Sequence, residues 1–398
     1  MRCALILLCF ISLMASAHAQ NAWKLDHIMI TFWCPPPATD EALSAVAAEN
    51  YTMTWTPEDG LDVAARHGLR AMLQNGLLNP ATLDDPAKKA DLDALIKRVK
   101  KHPALEAYYI LDEPSAGAFP ALGRLVAYLR ERDPAHLAYI NLFPTYANNQ
   151  QLGTEGDTVT AYREHLRQYV EVVKPGLISY DHYHFFKSGD GEQYFLNLSM
   201  IRQAALDAGV PFLNIIQADT IHDSWRLPTA DEMRFLIYTT LAYGGRGISY
   251  FTYWGPAAYN GLYQDGKRMP LALDVAALNG EIRAFSPELM KLDSMGAYHT
   301  DPLPLGGEAM PADCPVQIVG SGEFVLGVFG VGAEATAFMV VNRNYSDSQV
   351  ARVKLPAGAR GVQEYDRASR AWRGYAQGSD TITVQLRPGD GRLFRWSK

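Results

Sequence analysis

Residues 105–114 of the chain read LEAYYILDEP, an apolar run rich in β-forming residues that ends in two adjacent carboxylates and a proline. Similar apolar runs recur between residues 26 and 292, with helical patterns between them. The runs are residues 27–33, 51–56, 69–74, 105–111, 137–143, 177–183, 212–217 and 247–254. Eight strand–helix units in this length match a (β/α)8 barrel, which typically takes about 250 residues. The sequence therefore predicts an α/β fold with a TIM barrel at residues 20–300.

A doubly wound open sheet is the alternative arrangement for the same strands and helices. Sheets of that kind that bind dinucleotides carry a GxGxxG loop after an early strand. No early strand of this sequence is followed by such a loop, so the barrel is favoured.

The composition and the hydrophobic pattern of the sequence change after the predicted barrel. Residues 301–316 are rich in proline and glycine, and only strand-like runs separated by turn signals follow. These runs are residues 324–329, 335–341, 351–355, 362–365, 381–386 and 392–396. Short strands at hairpin-like intervals predict a small all-β sandwich domain at residues 301–398.

Composition excludes several classes of protein. The 398 residues carry 43 acidic and 36 basic side chains, a formal net charge of −7, and 48% are hydrophobic. This balance does not fit a disordered chain, and beyond the N-terminus no apolar run is long enough to predict a membrane span. Nucleic acid is not expected as a partner, because proteins that bind it usually present a basic face. No cofactor and no oligomeric state follow from the sequence.

The N-terminus has the pattern of a secretory signal peptide. Arg2 precedes an apolar stretch at residues 4–14, and Ala17-His18-Ala19 forms a small-x-small cleavage site. We expect residues 1–19 to be removed and the protein to be secreted or periplasmic. The mature chain would keep Cys34 and Cys314, for which a disulfide and two separately buried thiols are both open.

Candidate site residues are sought at the C-terminal ends of the barrel strands, where TIM-barrel enzymes carry their active sites. Strand 4 ends in Asp112 and Glu113, and strand 6 ends in a run that contains Asp181. The aromatic residues at strand ends are Trp33, Trp55, Tyr180, Tyr183, Tyr253 and Trp254. Sugars stack their C–H faces on such rings and need polar partners at their edges, so the predicted ligand is a carbohydrate.

Hydrolysis of a glycosidic bond requires a protonated carboxyl beside the leaving oxygen and a second group. Glu113 is the candidate general acid, because partial burial and the neighbouring charge of Asp112 would hold its proton. Asp181 or Asp112 would be the second carboxylate. The alternative interpretation is that Asp112-Glu113-Pro114 caps the following helix, and the two roles are compatible.

Two amides and two histidines complete the set of candidates. Asn141 and Gln217 lie near strand ends, where they could bind sugar hydroxyls or serve structural roles. His182 and His184 would face the same side of a strand, but no third ligand accompanies them, so no metal site is predicted.

Several motifs in this order resemble secreted glycoside hydrolases of the barrel type. They are YYILDEPS, DPAHLAYINLFPTY, SYDHYHFF and LAYGGRGISYFTYW in the barrel, and FMVVNRN and LRPGDGRLFRW in the C-terminal part. The similarity extends to the large retaining superfamily, clan A, that includes the family 42 β-galactosidases. The resemblance implies that Glu113 is the acid/base at the end of strand 4. It also implies a nucleophilic glutamate at the end of strand 7, where this sequence has Gln217.

Three hypotheses are compatible with Gln217 in place of the nucleophilic glutamate. Asp112-Glu113 with Tyr180-Asp181 resembles hexosaminidases and chitinases, in which an Asp before the acid orients the substrate's own acetamido group. Alternatively, Asp181 acts as base or nucleophile opposite Glu113, with about 5–5.5 Å between carboxyls for retention and about 6.5–9.5 Å for inversion. The third is a carbohydrate-binding barrel that has lost catalysis.

Overall fold

The computed structural model of the chain describes residues 23–397. The predicted signal peptide at residues 1–19 lies outside the described residues. None of the described helices is long and apolar enough to cross a membrane.

Eight parallel strands form the barrel. They are β1 (Met29–Phe32), β2 (Met53–Thr56), β3 (Arg70–Leu73), β4 (Leu105–Asp112), β5 (Leu137–Leu142), β6 (Ile178–His182), β7 (Phe212–Gln217) and β8 (Gly247–Phe251). The ladder runs in the order β1-β8-β7-β6-β5-β4-β3-β2. At the remaining seam, the Thr52 amide donates to the carbonyl oxygen of Ile30 at 3.0 Å, which brings β1 against β2. The predicted TIM barrel is therefore confirmed.

Helices surround the strands in the expected alternation. They are α1 (Asp40–Ala48), α2 (Leu61–Arg66), α3 (Pro86–Val99), α4 (Phe119–Arg132), α5 (Asn149–Leu152), α6 (Thr158–Gln168), α7 (Tyr194–Ala208), α8 (Ala230–Ala242) and α9 (Pro270–Leu289). Short 3-10 turns occupy Glu58–Gly60, Pro80–Asp84, Ala116–Ala118 and Ala257–Tyr259, and a π turn occupies Tyr169–Val173. Paired two-residue strands lie at Phe185–Phe186 with Gly189–Asp190, and at Trp254–Gly255, Tyr263–Gln264 and Lys267–Arg268.

The alternation of side chains along each strand sorts them into two cores. One set packs inside the barrel and includes Met29, Met53, Met72, Leu137 and Leu213. The other set faces the helices and forms the larger core. Which set a residue joins decides whether it can reach the open end of the barrel.

A β-bulge in β4 changes this alternation just before the carboxylates at the end of the strand. Tyr109 pairs with Tyr139, but Leu111 pairs with Ile140, so Ile110 is an extra residue on β4. Beyond the bulge, Asp112 pairs with Asn141 of β5. A regular β4 would place Asp112 on the opposite face from Tyr109, so the bulge brings both onto the barrel side.

The C-terminal region forms two antiparallel sheets. Its strands are β9 (Asp293–His299), β10 (Gln317–Val319), β11 (Phe324–Val331), β12 (Glu334–Asn342), β13 (Gln349–Lys354), β14 (Gly361–Asp366), β15 (Ala371–Gln377), β16 (Thr381–Leu386) and β17 (Gly391–Ser397). One sheet has the order β9-β11-β12-β17-β14-β15 and the other β10-β13-β16. They enclose a separate apolar core around Phe338, Val340 and Phe394. The predicted β-sandwich is confirmed, and its first strand begins at Asp293.

The sandwich packs directly against helix α8. Strands β11 and β12 contact this helix, and glycine permits the close approach. A Cβ at Gly391 would lie 2.5 Å from Cδ1 of Tyr238, and one at Gly327 would collide with the carbonyl oxygen of Ala242. Cys34 and Cys314 are both free thiols rather than a disulfide.

Candidate active site

The backbone at the end of β4 aims two carboxylates at the open end of the barrel. Glu113 has φ of 45°, a left-handed conformation that is uncommon outside glycine, and its amide donates to the carbonyl oxygen of Asn141 at 2.9 Å. Asp112 is exposed and Glu113 is half-buried. Pro114 follows, and no side chain caps the 3-10 turn or the helix that begins after it. The capping role considered for the Asp-Glu-Pro sequence is therefore not what positions these two residues.

Asn141 joins the carboxylates of two strands. Its Nδ2 donates to Oδ1 of Asp112 at 3.0 Å and to Oδ1 of Asp181 at 2.8 Å. Its Oδ1 accepts from the Ser179 hydroxyl at 3.0 Å, and the Tyr139 hydroxyl lies 2.8 Å from Ser179 Oγ. Asn141, Ser179 and Tyr139 are all buried. Asn141 was predicted from the sequence, whereas Ser179 and Tyr139 were not, although their alternation with Asp181 and Asn141 placed them on the same face.

Burial raises the pKa values of all three carboxyls, and like charge adds to the rise at Glu113 and Asp181. Burial raises the pKa of Glu113 to about 7, and the charge of Asp112 adds to the rise. Asp181 is buried and hydrogen-bonds with Glu113, and burial followed by the charge of Glu113 raises its pKa well above the usual range. Burial also raises the pKa of Asp112, against which the Asn141 hydrogen bond acts; water reaches this carboxyl although protein surrounds most of it. Glu113 and Asp181 therefore form a pair that holds a proton at near-neutral pH.

An aromatic wall extends along the barrel end and consists of Tyr109, Trp55, Trp33, Phe251, Tyr183 and Trp225. Ring centroids are 5.0 Å apart for Tyr109 and Trp55, 4.8 Å for Trp55 and Trp33, and 6.3 Å for Trp33 and Phe251. The wall continues from Phe251 to Tyr183 at 5.3 Å and from Tyr183 to Trp225 at 4.4 Å. Trp33, Tyr109, Tyr183 and Phe251 remain half-buried, so their rings are accessible. Three of these six residues were not predicted from the sequence: Tyr109, Phe251 and Trp225.

Other residues predicted for the site have different surroundings. Gln217 is fully buried, accepts from the Phe185 amide at 2.9 Å, and donates to the carbonyl oxygens of Phe185 and Arg226 at 3.0 and 2.9 Å. Because both of its polar atoms are engaged with the backbone, it fixes the loops after β6 and β7. The expectation that Gln217 binds a sugar hydroxyl is therefore corrected to this structural role.

Two of the three tyrosines predicted to bind substrate, Tyr180 and Tyr253, are also buried in protein. Tyr180 is fully buried among the residues that face the helices. Tyr253 donates to Glu49 at 3.0 Å and stacks on Phe32. Trp254 is half-buried, and its ring stacks on Tyr263 with a centroid separation of 5.6 Å. We therefore leave Tyr180 and Tyr253 out of the site.

His182 at the end of β6 and His184 just beyond it do not assemble a metal site with other described residues. Nδ1 of His182 lies 2.9 Å from Oδ1 of Asn197. Within residues 23–397, no group of three or more His, Cys, Asp or Glu side chains is placed to hold a metal ion.

Comparison with protein-family models gives no match, and no curated protein matches the sequence. Solved structures do resemble the chain. A family 39 glycoside hydrolase from the gut symbiont Bacteroides cellulosilyticus WH2 aligns with a TM-score of 0.51 at 8% identity, covering 93% of this chain and 81% of that one. A putative α-galactosidase from Bacteroides fragilis NCTC 9343 has a TM-score of 0.49 at 11% identity, covering 95% and 79%. At 8% identity, the likeness to the family 39 glycoside hydrolase shows a shared fold and nothing more.

Proposed function

We propose that the protein is a glycoside hydrolase in which Glu113 is the general acid. The observation that carries this proposal is the placement of Glu113 beside Asp112 and an accessible aromatic wall at the open end of a TIM barrel, where burial raises the pKa of the Glu113 carboxyl to about 7. A general acid works best when its pKa lies near the working pH, so that it is protonated yet able to release the proton. A sugar ring stacked on the wall would present its glycosidic oxygen to Glu113.

The contact between Glu113 and Asp181 bears on the second group of the reaction. Asp181 is buried, and its carboxyl is hydrogen-bonded to Glu113 and accepts from Nδ2 of Asn141. A buried carboxyl that shares a proton with the general acid is poorly placed to attack the anomeric carbon or to activate a water. Asp181 therefore fits a role as the proton partner of Glu113 better than a role as nucleophile or base.

Asp112 remains as the accessible carboxylate next to the acid. Because Asp112 is accessible beside the acid, we further propose that the substrate carries a 2-acetamido group. In this reaction, the carboxylate of Asp112 accepts the acetamido N–H while the acetamido oxygen attacks the anomeric carbon and Glu113 protonates the departing oxygen. Asn141 holds Asp112 in place for this role at 3.0 Å.

Hydrolysis of a panel of oligosaccharides and nitrophenyl glycosides tests the general proposal. The wild-type protein is expected to release sugar, and Glu113→Gln is expected to lose about 10²–10⁴-fold in kcat, the usual contribution of general acid catalysis. Glu131→Gln is the matched control, because Glu131 is exposed at the end of α4 and should not alter the rate. Tight binding without turnover in all three proteins would instead identify a carbohydrate-binding barrel.

A pair of substrates that differ only at C2 tests the finer proposal. Nitrophenyl 2-acetamido-2-deoxyhexosides are expected to be cleaved, and the matching hexosides with a 2-hydroxyl group are not. Equal rates on both members of the pair would exclude the acetamido group as the nucleophile while leaving Glu113 as the acid.

We also propose that residues 1–19 direct export of the protein. Cell fractionation with N-terminal sequencing of the exported protein tests this, and a mature chain that begins at Gln20 is the expected result. An uncleaved chain in the cytoplasm would contradict it.

A further inference from the structure

A chain of buried hydrogen bonds leads from Tyr139 to the carboxylates, and its polarity is fixed by chemistry. Nδ2 of Asn141 is the atom that faces Asp112 and Asp181, because an amide oxygen there would be repelled by the ionised carboxylate of Asp112. Oδ1 of Asn141 is an acceptor, so the single proton of Ser179 is donated to it. The hydroxyl of Tyr139 must then donate to Ser179 Oγ, since that proton is already used. Each donor thus points towards the carboxylates.

We propose that Tyr139 and Ser179 are positioning residues that fix the amide of Asn141, and that this fixed amide keeps the proton of the Glu113–Asp181 pair available to Glu113. The proposal rests on the function proposed above. Asp181 is buried more deeply than Glu113, so burial alone draws the shared proton to Asp181. The amide opposes this because it donates to the ionised form of Asp181. It likewise favours the ionised form of Asp112, whose charge keeps the proton on Glu113.

The surroundings of the pair contain other titratable groups, and these stay neutral. They are Tyr139, Tyr146, Tyr162, Tyr180 and Tyr183, and burial raises the pKa of each phenol. In the described part of the chain, no lysine or arginine contributes to the pKa shift of Asp112 or Glu113. The proton on the pair is therefore governed by the three carboxyls and by the donors that face them.

The test is the pH dependence of kcat/KM for Ser179→Ala. Without the serine proton, the amide of Asn141 loses the contact that orients it, Asp181 holds the shared proton more tightly, and Asp112 loses part of its charge. Both changes favour ionised Glu113. The alkaline limb of the pH profile is therefore expected to move to lower pH by about one unit, because the hydrogen bonds from Asn141 to the charged carboxyls are weakened. At pH 8, kcat should fall about tenfold, and KM should change less.

A matched control is Ser249→Ala. Ser249 is also fully buried in a barrel strand, but its hydroxyl has no hydrogen-bond partner among the described residues, so its removal should leave the profile in place. Tyr139→Phe removes the first donor of the chain and should shift the limb in the same direction by a smaller amount. A Ser179→Ala enzyme with reduced rate but an unshifted profile would show a merely structural role and overturn the proposal.

Carbon-13 NMR titration of the Glu113 and Asp181 carboxyls separates this inference from the proposed function. Ser179→Ala should raise the macroscopic pKa assigned to Asp181 and lower the one assigned to Glu113, even if no substrate is hydrolysed. Unchanged titration curves in a folded Ser179→Ala protein would refute the inference. Absence of hydrolysis by the wild type, together with shifted curves, would refute only the proposed function.

Discussion

The indole rings of Trp33 and Trp55 meet at 4.8 Å between centroids and 54° between planes, where the ends of β1 and β2 adjoin. Trp55 is buried, and its Nε1 donates to Thr31 Oγ1 at 3.1 Å, whereas Trp33 is half-buried. The inner ring is thus fixed by a hydrogen bond, and it supports an outer ring that a substrate can reach.

We predict that Trp33→Ala raises KM about tenfold with a smaller effect on kcat, because the lost ring holds ground state and transition state alike. Steady-state kinetics on the best substrate of the panel measures this. Trp254→Ala is the comparison, and a smaller effect is expected because that ring stacks on Tyr263. An unchanged KM in Trp33→Ala would place the sugar elsewhere.

The negative charge of the site leads to a prediction about the charge of the substrate. Three carboxyls converge at the barrel end, and no described lysine or arginine offsets the charge of Asp112 or Glu113. We predict that a neutral glycoside is hydrolysed at least about 100-fold faster, in kcat/KM, than the same glycoside oxidised to a uronate, since like charges in a partly buried site repel strongly. Competition assays at fixed ionic strength measure the ratio, and equal rates would contradict the prediction.

Asp219 gives a prediction about stability and pH. This residue is fully buried two positions after β7, and burial raises its pKa to about 7. Because the folded pKa lies above that of the unfolded chain, its contribution to stability is present below pH 4 and is lost as the pH rises to 7. Asp219→Asn should therefore raise Tm by about 4 °C at pH 8 and leave it unchanged at pH 4.

The matched control for Asp219 is the exposed Asp59, whose replacement by Asn should leave Tm the same at both pH values. Thermal unfolding followed by circular dichroism serves as the measurement. A Tm increase of equal size at pH 4 and pH 8 would rule out ionisation as the cause.

Arg367 of the sandwich makes an ion pair that crosses to the barrel and a second one within the sandwich. Its Nη1 lies 2.7 Å from Glu281 Oε2 on α9 and 3.1 Å from Asp390 Oδ1, and it also donates to the hydroxyl of Tyr238 on α8. Arg367→Met should lower the free energy of unfolding by about 2 kcal/mol, less than for a fully buried pair because the side chain is 22% exposed. Denaturant unfolding measures the loss, and the exposed Arg373→Met should show almost none.

The architecture was predictable because two sequence patterns are strong: the alternation of strands and helices in the barrel and the short strand-like runs of the C-terminal region. The apolar runs that predict strands overlap every barrel strand, and the run at residues 212–217 has the same bounds as β7. Strand β9 was not predicted, because Asp293–His299 alternates weakly and contains an inward glycine. Strand β15 was missed because its solvent-facing residues leave no apolar run.

The site was predictable only in part, since a sequence gives strand ends more readily than strand faces. The bulge at Ile110 brings Asp112 to the barrel side, and no local signal in the sequence marks it. Tyr180 and Asp181 are adjacent in a strand and so face opposite sides, a rule that would have removed Tyr180 from the candidates. The role of Gln217 depends on two loops distant in sequence, which no pattern in β7 reveals.

Gly327 and Gly391 allow the sandwich to pack closely against α8, because neither glycine has a Cβ that would collide with the helix. A barrel cut free before β9 would leave the apolar surface of α8 open to water, and we expect such a fragment to aggregate rather than to act as a smaller enzyme. Melting of the full-length chain should accordingly follow a single cooperative transition. Replacement of either glycine by alanine would push the sandwich away from the barrel at a point far from the carboxylates. We therefore expect the substitution to lower the yield of folded protein first.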